Sequence, residues 1–416
     1  MKRKKKLLLM TPPPPPFGTS PMHYGDNRPP LGLGFLAAYI EQFGHDVKIV
    51  DNFIYNYDIK NEIDNFQPDF IGIYVNTTSY LMALELIKNI RKYASVPIIC
   101  GGPHATILPA TLEKYVDYLV VGEGEIGLKE ILEGRVRDRI IRKGFISELD
   151  TLPWPDYRHF ISEPYNWRLD LYKENIEPVF TMNTSRGCPF RCEFCAVESI
   201  WGKKYRIFSA EKIIGEVEYL INKYGIKGIY FREDNFTCDR KRLIKFCELI
   251  EEKRIKFKWT CETRADLDEK FVDRLSKIGC VGFYIGVESG SQKVLDLMNK
   301  NIKVEQIKNF FKVCRRAGIK TYATICYGTL GETEDDREIT ERFLLEINPD
   351  AIDRFAYLGV PGSSHYEYIR KNKLYYHMDE SGFIYTDAFK EITLKLYPES
   401  DGRVQFLKRQ TKMLSL

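Results

Sequence analysis

Short apolar runs alternate with amphipathic segments along the first third of the chain. The apolar runs predict strands at Lys6–Met10, Val47–Asp51, Phe70–Val75, Pro97–Cys100 and Tyr118–Val121. The amphipathic segments between them include predicted helices at Leu31–Phe43 and Tyr80–Tyr93. Apolar strands separated by helices are typical of a parallel sheet that is covered on both faces. We therefore predict a doubly wound, Rossmann-like α/β domain over residues 1–132, with ligand-binding loops at the carboxyl ends of its strands.

The same alternation returns near residue 177 and continues through six units. The predicted strands are Val179–Asn183, Gly228–Arg232, Lys256–Cys261, Val281–Val287, Lys320–Tyr327 and Ala351–Leu358. Six β/α units predict a partial (β/α)6 barrel of the TIM type over residues 177–370, with its chemistry at the carboxyl ends of the strands. The turn-rich segment 133–176 is predicted to be a linker, and residues 371–416 a C-terminal extension with weak periodicity.

The composition is that of an ordinary globular protein, with 44% hydrophobic residues, 29% charged residues and a net charge of +4. This small charge gives no signal for nucleic acid, which we do not expect as a partner. No apolar run approaches the roughly 20 residues of a membrane span. The basic start Lys2–Lys6 is followed by too few apolar residues for a signal peptide. We therefore expect a cytoplasmic protein.

Ten cysteines are present, and in the cytoplasm we do not expect them to form disulfides. Seven of them are scattered, mostly in apolar segments, where plain buried packing is expected: Cys100, Cys238, Cys247, Cys261, Cys280, Cys314 and Cys326. The other three are Cys188, Cys192 and Cys195, which have the spacing C-x3-C-x2-C directly after the first predicted barrel strand.

A loop at the end of a barrel strand can wrap three thiolates around one metal site. Structural zinc takes four ligands, so a zinc knuckle here would need a remote fourth ligand. A [4Fe–4S] cluster held by three thiolates instead leaves one iron open to a substrate or cofactor. The spacing therefore favours a cluster, with zinc as the alternative.

The cysteine segment resembles the signature of the radical S-adenosylmethionine (SAM) superfamily, in which the residue before the last cysteine is aromatic, here Phe194. The resemblance implies that Cys188, Cys192 and Cys195 bind three irons, while the fourth iron chelates the amino and carboxylate groups of SAM. One electron would then cleave SAM to methionine and a 5′-deoxyadenosyl radical. The protein would orient the cofactor and exclude water, and the cofactor would provide the radical chemistry itself.

Further segments at successive strand ends resemble the same superfamily, so that the match covers roughly residues 180–365. They are Tyr230–Thr237, Trp259–Asp266, Gly286–Ser291, Tyr327–Gly328 and Gly331–Thr333. The resemblance implies that Arg264 pairs with the SAM carboxylate, as a guanidinium can do bidentately. It also implies that Glu288 and Ser289 hydrogen-bond the ribose or the methionine amine. Arg264 or Glu288 alone could also form a loop salt bridge, but a barrel places these strand ends around one mouth.

The first domain resembles the cobalamin-binding domain that precedes the barrel in many radical SAM enzymes. The resemblance rests on Pro29–Gly34, Gly101–Thr106 and Gly122–Glu125. It implies a cobalamin between the two domains, with its lower face against the loops near Asn76 and at Gly101 and Gly102. Glycines after strands let a backbone approach a flat macrocycle closely, although the tight turns of any doubly wound fold use glycine too.

The chain departs in one respect from the cobalamin-dependent mutases. Those enzymes carry Asp-x-His-x-x-Gly, whose histidine ligates cobalt from below, and none of the six histidines here lies in that pattern. Radical SAM relatives with this domain generally lack the pattern too, so its absence argues only against a histidine-ligated mutase. Some relatives keep the domain without the cofactor, an alternative that the sequence leaves open.

The resemblance favours a cobalamin-dependent radical SAM methyltransferase that methylates an unactivated carbon of a small-molecule substrate. The alternative is non-methylating radical chemistry, such as cyclisation, rearrangement or dehydration of a sugar-like or natural-product substrate. A third interpretation, an electron-transfer iron–sulfur protein, would need no SAM site. The expected partner is an electron donor such as flavodoxin or ferredoxin. No catalytic residue is assigned, and Tyr357, His365 and Tyr366 are candidates for the substrate pocket.

Overall fold

The computed structural model describes residues 4–20, 27–169 and 176–414. The first sheet consists of β1 (Lys6–Thr11), β2 (Asp46–Asp51), β3 (Phe70–Tyr74), β4 (Ile98–Gly101), β5 (Tyr118–Val121) and β6 (Ile140–Arg142). Its strands are parallel and follow the order β2-β1-β3-β4-β5-β6. The order reverses beside β1, as it does in doubly wound folds that bind ligands at the carboxyl ends of their strands.

Alternate residues of β1 face two different cores. Leu7 and Leu9 pack in the core that includes the helix Leu31–Glu41, whereas Leu8 packs in the core that includes the helix Tyr80–Ile90. Side chains of a strand alternate between its faces, so helices must cover both sides of this sheet. The prediction of a doubly wound first domain is confirmed.

The helices of this domain are Leu31–Glu41, Ile59–Phe66, Tyr80–Ile90, Pro103–Ile107, Pro109–Leu112 and Gly124–Leu132. The helix Ile59–Phe66 is not among the predicted helices, because it is short and mostly polar. Its start is fixed by Asp58, whose carboxylate accepts a hydrogen bond from the amide of Asn61 at 3.2 Å.

The segment that was predicted to be a linker contributes to both domains. Its strand β6 pairs with β5, so the first sheet continues into this segment. Further along, Phe160 is fully buried and Tyr157 is 2% exposed. The amide of Asp156 donates to the carbonyl oxygen of Gly34 at 3.0 Å, which ties the segment to the first helix. Residues 170–175 of the segment lie outside the described residues.

The second sheet consists of β7 (Val179–Met182), β8 (Gly228–Phe231), β9 (Lys258–Thr263), β10 (Cys280–Glu288), β11 (Lys320–Tyr327) and β12 (Ala351–Ala356). Its strands are parallel, and each is paired with the next one along the chain. This order is that of a (β/α) barrel with six strands, and the predicted partial barrel is confirmed.

The helices of the barrel are Val197–Trp201, Ala210–Tyr224, Arg240–Lys253, Glu269–Lys277, Gln292–Leu297, Val304–Arg316, Glu334–Ile347 and Ser364–Lys371. Five of them begin at a side chain that accepts a hydrogen bond from a backbone amide three residues later. These capping residues are Ser209, Asp239, Asp268, Thr333 and Ser363. Such caps satisfy amides that the helix itself leaves unpaired, so the strand-end loops that precede these five helices end at a fixed residue.

The C-terminal extension is more regular than its weak periodicity predicts. It contains the hairpin strands His377–Met378 and Ile384–Tyr385 and the helices Asp387–Leu396 and Gly402–Leu414. Ile384 exchanges two backbone hydrogen bonds with Gly359, each 3.1 Å long, just beyond β12. The hairpin therefore covers the end of the sixth barrel strand. Within the described ranges no helix is long and apolar enough to cross a membrane.

One hydrophobic core runs through both domains. Phe35 of the first domain stacks on Phe208 of the barrel, with ring centroids 5.9 Å apart. Leu152 and Phe160 of the connecting segment belong to the same buried cluster, which continues to Phe180 of β7. The two domains thus pack against each other through apolar side chains as well as through polar ones.

The cysteines outside the C-x3-C-x2-C motif are mostly packing residues. All ten cysteines are free thiols. Six of the seven scattered ones are buried, as predicted, and Cys238 is half-buried. Cys238 lies on the loop after β8, near the barrel mouth.

A carboxyl group is buried where the helix Ala210–Tyr224 meets β7. Glu216 is 6% exposed, and its Oε1 lies 3.0 Å from the hydroxyl of Tyr157. That hydroxyl also lies 3.0 Å from the carbonyl oxygen of Thr181. Burial raises the pKa of Glu216 to about 8, against the lowering effect of the hydrogen bond from Tyr157. Glu216 is therefore largely neutral at pH 7.

We expect Glu216→Gln to remove a pH dependence of stability. The folded protein holds the proton of Glu216 more tightly than the unfolded chain does, whose carboxyl has a pKa near 4.5. Through this group the free energy of unfolding should fall by about 1.4 kcal/mol per pH unit as the pH rises from 4.5 to about 8. Thermal unfolding across that range should show the wild type losing stability relative to Glu216→Gln. The control is Glu218→Gln on the exposed face of the same helix. If Glu216→Gln kept the wild-type slope, the assignment would be wrong.

Candidate active site

The three motif cysteines lie on one loop at the carboxyl end of β7. Cys188 follows a short two-stranded ribbon, in which Ser185–Arg186 pairs with Arg206–Ile207. Cys195 precedes a helix, and its amide donates to the carbonyl oxygen of Cys192 at 3.1 Å. All three thiols are half-buried. The fold therefore presents the predicted ligands together at the barrel mouth.

The number of thiols on the loop bears on which metal they fit. Structural zinc takes four ligands in a closed tetrahedral site. A [4Fe–4S] cluster held by three thiolates leaves one iron open to a cofactor. The three thiols of this loop therefore fit a cluster better than a closed zinc site.

The surroundings of Cys188 and Cys195 keep these two thiols protonated until a metal binds. Burial raises the pKa of Cys188, and it raises the pKa of Cys195 to about 12. The nearby carboxylate of Asp234 contributes to the raised pKa of both thiols. Metal-bound cysteines are thiolates, so insertion of a cluster must release these protons.

Arg264 lies beside the cysteine loop at the end of β9. Its Nη1 is 3.9 Å from the Sγ of Cys192, and its guanidinium carbon is 3.9 Å from the ring centroid of Phe190. Its Nη2 donates to the carbonyl oxygen of Lys300. Its Nε is buried and has no hydrogen-bond partner among the described residues. A buried N–H of this kind needs an acceptor, and a ligand carboxylate at the cysteine loop would supply one.

Lys300 joins the residues that were predicted to contact SAM. Its Nζ donates to Oε1 of Glu288 at 2.7 Å and lies 5.8 Å from the ring centroid of Phe194. Its carbonyl oxygen accepts the hydrogen bond from Arg264. Both Lys300 and Glu288 are buried. The structure thus brings Arg264, Glu288 and Phe194 together around a lysine that the sequence analysis does not name.

Ser289 is placed differently from its predicted role. It is fully buried, and its Oγ lies 3.0 Å from Oγ1 of Thr340. The same Oγ accepts a hydrogen bond from the amide of Ser291 at 3.1 Å. Ser289 therefore holds the turn after β10 against the helix Glu334–Ile347. A direct contact with SAM would require these bonds to change.

Asp234 is a further acid at the barrel mouth, on the loop after β8. Desolvation by the surrounding protein, together with the carboxylates of Glu262 and Glu233, raises its pKa to about 7. Asp234 lies close enough to the cysteine loop for its carboxylate to raise the pKa of Cys188 and Cys195. Asp234 lies within the segment Tyr230–Thr237 that resembles the superfamily, but the resemblance assigns it no role. A carboxylate with so few neutralising neighbours can accept a cation such as an ammonium group.

A cavity of about 500 Å³ lies between the carboxyl edge of the first sheet and the barrel. Gly101 and Gly102 line it from the first domain, and Thr181 and Asn183 line it from the barrel. Asn76 is not part of the lining. Its side chain accepts a hydrogen bond from the amide of Ser79 at 2.7 Å and caps the turn after β3. Gly101 and Gly102 therefore line the cavity, whereas Asn76 stabilises the turn after β3.

The wall that the first domain contributes to this cavity is rich in glycine. The glycines in the lining are Gly32, Gly72, Gly101, Gly102, Gly122 and Gly124. At Gly102 the backbone has a φ of 101°, and a Cβ atom would lie 2.8 Å from the carbonyl oxygen of Val75. Only glycine fits there without strain. A wall of exposed backbone suits a flat macrocycle such as that of cobalamin.

No histidine of the described residues lines the cavity. His104 follows the glycine pair but is fully buried behind it. Its ring nitrogens lie 3.3 Å from Oγ1 of Thr77 and 2.9 Å from Oγ1 of Thr111. Burial lowers its pKa to about 4. His104 is thus a neutral packing residue, in agreement with the lack of a mutase-type histidine motif.

Family comparisons agree with both sites. Residues 182–344 match the model of the radical SAM superfamily, and residues 23–132 match that of the B12 binding domain. The first range contains the cysteine loop, Arg264 and Glu288, and the second contains the glycine-rich wall of the cavity. The chain belongs to the radical SAM superfamily, in the group whose members carry a B12 binding domain before the barrel.

Individual relatives extend over most of the chain. A Pyrococcus horikoshii protein named as an uncharacterized methyltransferase is 31% identical over 84% of this chain and 80% of its own length. The anaerobic magnesium-protoporphyrin IX monomethyl ester cyclase of Rubrivivax gelatinosus is 28% identical over 81% of this chain but only 65% of its own length. The solved structure of the radical SAM methyltransferase TsrM of Kitasatospora setae, with cobalamin and a [4Fe–4S] cluster bound, has a TM-score of 0.69 at 18% identity. It covers 89% of this chain and 75% of that protein, and at this identity the likeness concerns the fold.

Proposed function

We propose that this protein is a cobalamin-dependent radical SAM methyltransferase that methylates an unactivated carbon of a small molecule. The observation that carries the proposal is that the two sites share one strand end. Asn183, Ser185 and Arg186 line the cavity, and Cys188 begins the metal site two residues later. A substrate at this strand end would be within reach of both cofactors, as a reaction that uses both requires. The Pyrococcus relative, named as a methyltransferase, supports the same activity.

The roles of the chain's own residues follow from their places. Cys188, Cys192 and Cys195 would hold the cluster, and the glycine-rich wall would hold cobalamin. The buried Nε of Arg264 would bind the carboxylate of SAM, and Asp234 would accept a hydrogen bond from its amino group. When bound, the cluster supplies the electron that cleaves SAM, and cobalamin carries the methyl group. Burial of Arg264 beside the loop keeps water from competing for the SAM carboxylate.

The proposal includes an electron donor and a cellular location. Cleavage of SAM needs one electron from outside the chain, for which a flavodoxin or ferredoxin is the proposed source. A cytoplasmic location is proposed with it, because ten free thiols and an oxygen-sensitive cluster suit a reducing compartment.

Product analysis tests the activity. Anaerobically reconstituted protein with both cofactors, SAM, reductant and a turned-over substrate should form S-adenosylhomocysteine and 5′-deoxyadenosine in equal amounts. One SAM would donate the methyl group, and the other would generate the radical. Formation of 5′-deoxyadenosine with product but without S-adenosylhomocysteine would overturn methyl transfer. It would favour non-methylating chemistry such as the cyclisation for which the Rubrivivax relative is named.

We expect Arg264→Ala to weaken SAM binding about 10- to 150-fold, because losing a charge-assisted hydrogen bond costs roughly 1.5–3 kcal/mol. Glu288→Ala should weaken it as well, since the variant leaves Lys300 without its partner. Equilibrium dialysis with labelled SAM measures the affinity, and iron analysis checks that the cluster is retained. Arg274→Gln, which removes an exposed ion pair with Glu251, is the control. Unchanged affinity in both site variants would remove these residues from the SAM site.

A further inference from the structure

Four charged side chains are buried together where the two domains meet. Glu123 and Glu125 lie at the start of the last helix of the first domain, and Arg186 and Arg206 lie in the two-stranded ribbon. Arg186 is 3.2 Å from Glu123 and 2.6 Å from Glu125, and Arg206 is 2.5 Å from Glu123. None of these four residues is more than 9% exposed. The network joins the first domain to the strand that leads into the cysteine loop.

The two arginines are directly opposite each other in the register of the ribbon. Like charges in such a cross-strand pair repel each other. Here Oε1 of Glu123 lies within ion-pair distance of both and accepts a hydrogen bond from Nη1 of Arg206. The ribbon therefore depends on a carboxylate of the other domain. Because burying charges costs desolvation energy, such a network is a weak source of stability, and a role in geometry is the better explanation of it.

Arg186 lies between the two ends of the cysteine-bearing segment. It comes two residues before Cys188, and its guanidinium carbon is 5.6 Å from the ring of Trp201, which ends the helix after Cys195. On its other side the guanidinium carbon is 5.7 Å from the ring of Phe35 in the first domain. A single side chain thus contacts both ends of the metal loop and the opposite domain.

The same network reaches the glycine-rich wall of the cavity. Oγ1 of Thr106 accepts a hydrogen bond from the amide of Gly122 at 3.0 Å and lies 2.9 Å from the carbonyl oxygen of Gly102. Gly122 precedes Glu123, and Glu123, Glu125 and Arg186 themselves line the cavity. Hydrogen bonds at Gly102 and Gly122, the peptide bond from Gly122 to Glu123, and the ion pairs of Glu123 therefore connect the wall of the cavity to the residue before Gly187.

We propose that Arg186 is a positioning residue that sets the distance between a cobalamin in the cavity and the cluster on the cysteine loop. This inference rests on the proposed function, because it needs both cofactors to be bound. Arg186 acts through the loop rather than on the reacting atoms. Its planar fork spans Glu123 and Glu125 at once, which the single ammonium of a lysine cannot do with the same geometry.

The test compares Arg186→Lys and Glu125→Gln with the wild type. The control is Arg158→Gln, which removes an ion pair to Glu41 that also joins the first domain to the following segment but is exposed. Each protein is analysed for iron, for its dissociation constant for hydroxocobalamin, and for the magnetic interaction between cob(II)alamin and the reduced cluster in electron paramagnetic resonance spectra. The spectral interaction depends on the distance between the two centres, so it reports position independently of turnover.

We expect both site variants to keep the cluster and to show a weaker and less uniform spectral interaction than the wild type and the control. Formation of S-adenosylhomocysteine in a single turnover should slow by about 10- to 100-fold, the size of effect that a misplacement of about 1 Å produces. A wild-type spectrum and rate in both variants would overturn the inference and leave the proposed function intact. A variant that lost iron and cobalamin together would also count against it, because the residue would then be needed for folding. If the wild type bound no hydroxocobalamin, the proposed function itself would fail.

Discussion

Replacing Cys188, Cys192 and Cys195 together by Ala is expected to give a folded protein without iron and without SAM cleavage. The three thiols are the predicted ligands of the cluster, and none of them packs in the core clusters. Their removal should therefore cost little stability while it removes all protein ligands of the cluster. Wild-type protein reconstituted anaerobically should carry about four irons and four sulfides per chain. Iron and sulfide analysis and the visible absorbance of the cluster measure the difference.

The matched control for this experiment is Cys238→Ala. Cys238 is a half-buried cysteine on the neighbouring loop and is not a predicted ligand. This variant should keep the full iron content, and 5′-deoxyadenosine formation should stay near the wild-type rate. If the triple variant kept its iron, or if Cys238→Ala lost it, the ligand assignment would be wrong.

Gly101→Leu is expected to abolish cobalamin binding under conditions that saturate the wild type. Gly101 lines the cavity, and a Cβ atom there would meet no atom closer than 3.8 Å. The backbone can therefore carry a side chain, but a leucine would occupy space that the macrocycle needs. Overpacking of this kind costs about 3 kcal/mol, or roughly 100-fold in affinity. Absorbance of protein-bound hydroxocobalamin after gel filtration measures the loss.

Gly101→Ala controls for effects on the backbone, because its single methyl group would make only ordinary contacts. It should bind hydroxocobalamin nearly as well as the wild type does, and both variants should retain the cluster. Normal cobalamin binding by Gly101→Leu would place the cofactor elsewhere.

The metal site was predictable from sequence because its ligands are local. Cys188, Cys192 and Cys195 lie on one loop, and a spacing pattern alone can indicate that they act together. Lys300 could not be found in this way, because it follows a helix and becomes part of the site only through folding. A weak signal was present in its neighbours Asn299 and Asn301, both of which adopt positive φ angles of 51° and 52°. Asparagine on both sides of a lysine is typical of a tight turn with a fixed direction.

Residue type and position predicted which loops lie at the strand ends. They did not predict which way the side chains of those loops face. Ser289 and Asn76 lie directly after strands, as expected, but both use their oxygen atoms in hydrogen bonds with nearby residues. Ser and Asn readily bond to a nearby backbone, and the sequence does not tell whether they do so or face a ligand. The strand β6 was missed for a related reason. It is short and lies in a turn-rich segment, so its pairing with β5 is visible only in three dimensions.

The core that Phe35, Phe208 and Phe160 share across the two domains bears on how such proteins can evolve. A domain whose interface with its neighbour is polar can be exchanged by recombination without a large loss of stability. Here an exchange would leave aromatic side chains on both partners facing water or a poorly fitting surface, at a cost of about 25 cal/mol for each Å² of apolar area exposed. A hybrid that combined this barrel with the first domain of a distant relative would need a redesigned interface between the two domains before it could fold. The two halves are therefore expected to have diverged together, as one inherited unit.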